Sequence, residues 1–364
     1  MTDTNGTTAK IRLGFVNGDH LHFNDLLKHA YACPTAEVVG AVIDDAELRA
    51  HFTKEYPELQ TFDDADAFYD AATPDAIVTC ANNRDSADIV EDAARRGVHV
   101  MKEKPMAASL AIAEHMATAA ARHGTRLMVN WPNNWSPAIQ HLKTLVDDDA
   151  IGKVWQIHHR AGHGGPPQSY LTGSPIGRVG WDWLIDRERN GGGAAVDFCS
   201  YGAALSRWLM GQPSSVSGVG GRYAKELFTV EDNAVMILAY PKGHTITEGT
   251  WTQPAMPVKI PAMIYGDKGA IAMMSNTELK IATQGIPGQH SGLPVEGETI
   301  VAPALPAHYV SAIAYFTYCL LNDEPFAGIV APEISRDTQE ILEAGLLSMQ
   351  SGGAVSLPLP AFLD

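Results

Sequence analysis

Cysteine is scarce in this sequence, and Cys33, Cys80, Cys199 and Cys319 stand far apart with no CxxC pair. That spacing excludes a cysteine-rich zinc cluster and a disulfide framework. Long apolar runs are missing as well, so there is no segment of about 18 apolar residues to form a transmembrane helix. Met1 to Lys10 is polar and shows neither the apolar core nor the cleavage site of a secretory signal. Positive charge is outnumbered: 26 Lys and Arg stand against 42 Asp and Glu, a net charge of −16. A surface this acidic repels phosphate backbones and anionic lipid, which removes nucleic acid and membrane from the expected partners. The expectation is a cytoplasmic globular protein, and 364 residues are enough for two domains with a sizeable core.

The first part of the chain alternates short apolar runs with helical patterns. Ile11 to Val16 is a strand followed by the turn Asn17-Gly18-Asp19, and Phe23 to Ala32 is a helix. Ala36 to Ile43 is a second strand ending at Asp44-Asp45, and Ala76 to Thr79 a third. A helix over Ser86 to Arg96, a strand over His99 to Met101, a helix over Ala107 to His123 and a strand over Arg126 to Val129 follow. This rhythm predicts βαβ units and a doubly wound parallel sheet, an α/β Rossmann domain over residues 1–128. From about Gly152 the strand-like runs follow one another with little helix between them: Val154 to Arg160, Val216 to Tyr223, Ala234 to Ala239, Thr245 to Trp251, Ala262 to Tyr265 and Ala270 to Met274. They predict a large, mostly antiparallel open sheet in a second α/β domain, 129–364. One helix, Ala195 to Leu209, interrupts it behind Gly191-Gly192-Gly193, and His308 to Met349 is helical again. The cluster Gly285 to Pro294 is expected to be a surface loop.

Three places can carry chemistry. The turn after the first strand occupies the phosphate-loop position of a dinucleotide fold, but the run from Gly14 lacks the G-x-G-x-x-G pattern. Asp19 there brings negative charge toward a diphosphate unless it points away or caps the helix. Gly14, Val16, Asn17 and Gly18, with Asn82 and Glu103, are the candidate cofactor contacts. Asp44, at the end of the second strand, either binds an adenosine ribose diol or caps the next helix. In the first role it repels a 2′-phosphate, so NAD is the expected cofactor and NADP the less favoured one. The second place is Lys102-Glu103-Lys104-Pro105-Met106 at a strand's C-terminal edge, either a crevice element or a charged turn. The third is the helix carrying Asp197 and Tyr201, which at i and i+4 share a face as a possible acid/base pair, or as a capping acid with a half-buried phenol.

Together the Glu103-Lys104-Pro105 element, the Gly-Gly-Gly-Ala…Asp197…Tyr201 helix, Arg207-Trp-Leu-Met-Gly211 and the final Val355-Ser-Leu-Pro358-Leu resemble the Gfo/Idh/MocA oxidoreductases over nearly the whole chain. The resemblance implies a Rossmann domain and a C-terminal α/β domain whose open sheet packs against another subunit, giving a homodimer or homotetramer. It implies that Lys104 is the active-site lysine and Asp197 the site's acid. Many members carry His four residues after that Asp; Tyr201 here is similar to the glucose–fructose oxidoreductase and dihydrodiol dehydrogenase branches.

Hydride transfer needs a group to take the hydroxyl proton. A free tyrosine titrates near ~10, and an ammonium beside it lowers that value, which is the role expected of Lys104 toward Tyr201. Alternatively Lys104 itself carries the proton, with Asp197 orienting it or binding a hydroxyl. Arg160, His163, Trp181 and Trp183 are the candidate substrate contacts, offering donors and aromatic faces to a sugar or polyol. His158 and His159 alternate to opposite strand faces, so no metal site is expected. The leading reading is a nicotinamide-dependent oxidoreductase acting on a sugar, polyol or sugar derivative. The alternatives are redox-assisted glycoside elimination or cleavage with recycled NAD, and a non-catalytic sugar- or dinucleotide-sensing protein.

Overall fold

The computed structural model describes residues 9–166, 175–253, 255, 261–283 and 297–360. The expected loop Gly285 to Pro294 lies outside the described residues. The chain divides into two compact units, and neither is continuous in sequence.

The first unit is built on six strands: β1 (Ile11–Val16), β2 (Ala36–Val42), β3 (Thr61–Phe62), β4 (Ala76–Thr79), β5 (His99–Glu103) and β6 (Leu127–Asn130). They run in the order β3-β2-β1-β4-β5-β6, all parallel. Both faces of such a sheet are covered, which is why its strands are nearly unbroken apolar runs. Leu13, Phe15, Ile77, Val78, Met101, Met128 and Val129 are all fully buried. The helices α1 (His22–Ala32), α2 (Ala46–Glu55), α3 (Ala65–Ala72), α4 (Ser86–Arg95) and α5 (Leu110–His123) supply the cover. Strand order reverses at β1 and β4, and in open α/β sheets ligands bind beyond the strand ends at that point.

The second unit carries helix α6 (Pro137–Asp147) and the strand β7 (Val154–Gly162). Helices α7 (Pro175–Asp182) and α8 (Arg187–Asn190) lie between β7 and the triple glycine but belong to the first unit. After a π-turn (Ala195–Cys199), α9 (Ser200–Met210) leads into β8 (Ser215–Gly221), β9 (Asn233–Tyr240), β10 (Gly243–Thr250), β11 (Ala262–Gly266), β12 (Ala270–Met273), β13 (Glu278–Ala282) and β14 (Glu298–Val301). Helices α10 (Ala312–Asn322) and α11 (Pro332–Ser351) and the short β15 (Val355–Ser356) end the described chain. Among the described residues the second sheet runs β14-β13-β12-β11-β7-β10-β9-β8-β15. Its pairings are antiparallel except β7 with β10, so the sheet is mixed. Ile139 and Leu142 of α6 and Leu205 of α9 pack on Ile157, Ile264, Ile271 and Leu279 of its inner face.

A single break after residue 128 does not describe this architecture. The first unit takes Met1–Trp131 together with Pro166–Gly191 and Pro306–Arg336. Specific bonds recruit the two later segments. Asn83 Nδ2 donates to Asn190 Oδ1 at 2.8 Å, and the Arg84 amide to the Arg189 carbonyl at 3.0 Å. Thr317 Oγ1 lies 2.7 Å from Thr35 Oγ1, Arg126 Nη1 donates to the Cys319 carbonyl, and the Trp131 indole donates to Ser335 Oγ.

Candidate functional site

In the first unit the candidate site is the turn from β1 into α1. Asn17 has φ 61°, the left-handed conformation that usually calls for glycine and that Asn tolerates best among other residues. The chain reverses here without a glycine at the first position. Gly18 is buried beside Phe23. Gly14 serves packing: a Cβ there would stand 2.3 Å from the Phe68 ring. Val16 is 5% exposed and belongs to the core.

Asp19 does not cap α1. Its carboxyl is hydrogen-bonded to the Asn82 side chain and backbone, and burial raises it to a pKa of about 6, with Asp44 and Asp85 adding to the rise. The amide of His22 is instead capped by His20 Nδ1 at 3.0 Å. Burial, with His22, Lys104 and Lys102 nearby, holds His20 well below the usual imidazole range, so it is neutral. Asn82 itself is locked to Asp85, donating to Oδ2 at 2.7 Å and accepting from the Asp85 amide at 3.0 Å. The helix cap after β2 falls to Asp45, whose Oδ1 accepts the Leu48 amide at 2.8 Å. Asp44 is therefore left as an exposed carboxylate at the strand end.

The Lys-Glu-Lys run closes β5. Lys102 is fully buried and donates from Nζ to the carbonyls of Glu103 (2.6 Å) and Ala81 (3.3 Å). Burial lowers its pKa to about 8. Glu103 is 1% exposed and both its oxygens are engaged, Oε1 with His22 Nδ1 at 3.0 Å and Oε2 with Asn130 Nδ2 at 2.6 Å. A carboxylate so occupied holds the turn. Lys104 is 4% exposed, and its amide donates to the Asn130 carbonyl.

In the second unit a cavity of about 380 Å³ opens beside Tyr201. Pro132, Phe198, Leu205 and Met273 give it an apolar wall; Asn133, His159, Arg160 and Asn276 bring polar groups to it. Tyr201 and His159 stack at 6.5 Å between ring centres, and Phe198 lies 6.4 Å from Tyr201. Burial lowers His159 to a pKa of about 4, so the imidazole is neutral. Asn133 Oδ1 and His159 Nδ1 are buried without a hydrogen-bond partner. Leaving such atoms unpaired costs free energy. Asp197 stands on the π-turn, not on an α-helix, and its Oδ2 accepts the Trp251 indole N–H at 2.9 Å. Glu231 caps this turn, accepting the amides of Gly193 at 2.6 Å and Ala195 at 3.3 Å.

The four expected substrate contacts are divided between the two units. Arg160 lines the cavity and pairs with Glu248 at 3.1 Å. His163 is exposed on the same unit, with Nδ1 accepting the Gly165 amide and its ring against Phe198. Trp181 and Trp183 belong to the first unit. Trp183 offers no face to a sugar: it is 2% exposed and its indole donates to the Asp19 carbonyl at 2.8 Å. His159 is the residue that sequence reasoning passed over. Its period-2 register with Ile157 marks it for the inner face of β7. Among the described residues no three His, Cys, Asp or Glu side chains converge to hold a metal ion, and no helix is long and apolar enough to cross a membrane.

Two family models match the chain. The oxidoreductase family NAD-binding Rossmann fold of GFO/IDH/MocA matches residues 13–131, and the GFO/IDH/MocA C-terminal domain matches 139–272. Among curated proteins, the NADP(+)-named D-xylose 1-dehydrogenase of Haloarcula marismortui is 26% identical over 81% of this chain and 79% of its own length. The D-apiose dehydrogenase of Paraburkholderia graminis is 25% identical over 96% of this chain and 89% of its own. Among solved structures, the aldose-aldose oxidoreductase of Caulobacter crescentus, complexed with glycerol, superposes with a TM-score of 0.76. It is 22% identical and covers 95% of this chain and 99% of that one.

Proposed function

The chain belongs to the Gfo/Idh/MocA oxidoreductase family, and from that premise we propose that it transfers hydride between a nicotinamide dinucleotide and a carbinol or carbonyl carbon of a sugar, polyol or sugar derivative. The observation that carries the substrate class is the cavity beside Tyr201, lined by Asn133, His159, Arg160 and Asn276 against an apolar wall, with Asn133 Oδ1 and His159 Nδ1 buried and without a protein partner. A cavity lined by polar side chains opposite an apolar wall suits a ligand with hydroxyl groups on one side and C–H groups on the other. The sugar dehydrogenases among the relatives support the same class.

The dinucleotide, when bound, supplies or accepts the hydride. The strand order β3-β2-β1-β4-β5-β6 and the uncapped Asp44 suit its binding at the ends of β1 and β2. Tyr201 and Lys104 are assigned the hydroxyl proton, and Asp197 the orientation of the reacting groups. Trp251 holds the Asp197 carboxylate in place for that role. The four free, buried cysteines suit work in the cytoplasm.

The test begins with cofactor. Calorimetric titration of NAD and NADP into the full chain is expected to show NAD binding about tenfold or more tighter, because the Asp44 carboxylate repels a 2′-phosphate. Asp44→Ala is expected to close that gap. A clear preference for NADP overturns the ribose role of Asp44, and binding of neither overturns the cofactor reading. A screen of aldoses including D-xylose, and of polyols, then follows reduced nicotinamide. Its accumulation is the expected result, and turnover without accumulation would favour elimination with recycled cofactor.

The outer face of the second unit's sheet is proposed to pack on another copy of the chain, as a homodimer or homotetramer. Val219, Val235 and Ile237 are adjacent on β8 and β9 and 71%, 37% and 44% exposed. Light scattering at micromolar concentration is expected to give a dimer or tetramer mass; a monomer overturns this assignment.

A further inference from the structure

The turn after β1 brings an acid to the position where a dinucleotide's diphosphate ordinarily meets glycine amides. We propose that Asp19 makes dinucleotide binding by this chain proton-linked: the diphosphate is accepted as Asp19 takes up a proton, and affinity falls as pH rises. The inference rests on the cofactor reading above.

The geometry leaves Asp19 little alternative. Its carbonyl is fixed by the Trp183 indole at 2.8 Å, and its carboxyl is held by Asn82, which Asp85 locks in turn. The groups facing it add little positive charge. Asp44 beyond β2 is an acid, and Asp85 at the start of α4 is an acid paired with Arg84, whose Nε lies 2.7 Å from its Oδ1. Cys80, beyond β4, is kept protonated by burial, and His20 is held neutral. Lys102 on β5 is a nearby cation whose Nζ is spent on the Glu103 and Ala81 carbonyls, and Lys104 just after β5 acts on the neighbouring His20. His22 is paired with Glu103. The backbone donors at the start of α1 are also in use, the His22 amide by His20 Nδ1 and the Phe23 amide by the His20 carbonyl. An incoming diphosphate therefore meets a third carboxylate beside Asp44 and Asp85. Protonation of that carboxyl removes the repulsion and makes it a hydrogen-bond donor to a phosphate oxygen.

The sign follows from linkage. Burial already holds the Asp19 proton up to about pH 6 in the free protein. A bound dianion favours the protonated form further, so the complex binds more protons than the free chain above that pH. Affinity then decreases as pH rises through neutrality.

Isothermal titration of NAD into the full chain, in two buffers of different ionisation enthalpy, reads both affinity and proton uptake. The wild type is expected to take up a proton and to bind about tenfold more weakly at about pH 8 than at about pH 6. Asp19→Asn, which keeps the shape without the charge, is expected to bind about tenfold tighter than wild type at about pH 8, with no proton uptake. A disrupted turn would lower affinity, so a gain cannot arise from damage. The wild-type buffer comparison stands even if the variant fails to fold. NAD binding with no proton uptake overturns this inference alone, as does an Asp19→Asn protein that binds more weakly or keeps the pH slope. No binding at any pH overturns this inference and the cofactor reading together.

Discussion

Tyr201→Phe is expected to lower kcat by about 100-fold or more on whichever aldose or polyol the wild type oxidises, the range for a lost general acid or base. The substitution removes one oxygen and keeps the ring, so the stack with His159 and Phe198 and the apolar wall of the cavity persist. KM should therefore move far less than kcat, and the melting temperature should hold. His159 cannot take over the proton, because burial keeps it neutral down to about pH 4 and it offers no cation beside the phenol. Steady-state kinetics with a thermal melt of the same preparation separates the possibilities. A Tyr201→Phe enzyme running at wild-type speed removes the proton-carrier role and passes it to Lys104. A fall in rate accompanied by a lowered melt would mean that the phenol acts through packing.

The parallel sheet was legible because its physics is local. Ala76 to Thr79 is apolar on both faces, and the sequence assigns the same four residues to a strand as the structure does. β3 was not legible: two residues, Thr61 and Phe62, carry no periodicity and are a strand only because Ala41 and Val42 pair with them. β15 likewise exists through Val216 and Ser215 of β8. The parallel pairing of β7 with β10 joins segments about ninety residues apart, and nothing in either run announces direction. The joining of 166–191 and 306–336 to the first unit depends on side-chain bonds such as Asn83 to Asn190, which composition cannot foretell.

The candidate site divides the same way. Asp44 was identified with two possible roles, and the structure gives the cap to its neighbour Asp45. Tyr201 was found by its place on a helix and lies on a cavity. Trp183 reads from the sequence as available, standing beside Gly180 and Trp181, whereas in the structure its indole donates to the Asp19 carbonyl. The turn Asn17-Gly18-Asp19 is visible in the sequence as missing glycines; what Asp19, His20 and His22 do to their neighbours required coordinates. Asp197 fell on a π-turn, which no i, i+4 count can reveal. π-turns recur at functional sites, and this one is imposed by a distant carboxylate, Glu231.

The segment that carries Glu231 also leaves no room for a side chain at Gly193. A Cβ at Gly193 would lie 2.0 Å from the Glu231 carbonyl oxygen and 2.8 Å from Val230 Cγ2. The first contact is with backbone, so no rotamer change relieves it. Both backbone groups of Gly193 are held, its amide by Glu231 Oε1 at 2.6 Å and its carbonyl by the Asp197 amide at 3.0 Å. Moving the chain to admit a methyl group would break the cap on the π-turn and displace Asp197 from Trp251. Gly193→Ala is therefore expected to cost about 3 kcal/mol or more, the upper range for overpacking. Gly164→Ala is the control, since a Cβ there meets nothing within 4 Å. Chemical denaturation of the two variants, with tryptophan emission as the signal, should show a large fall for the first and none for the second. Equal stability of the two would mean that the Glu231 segment yields freely, and that the π-turn carrying Asp197 does not depend on it.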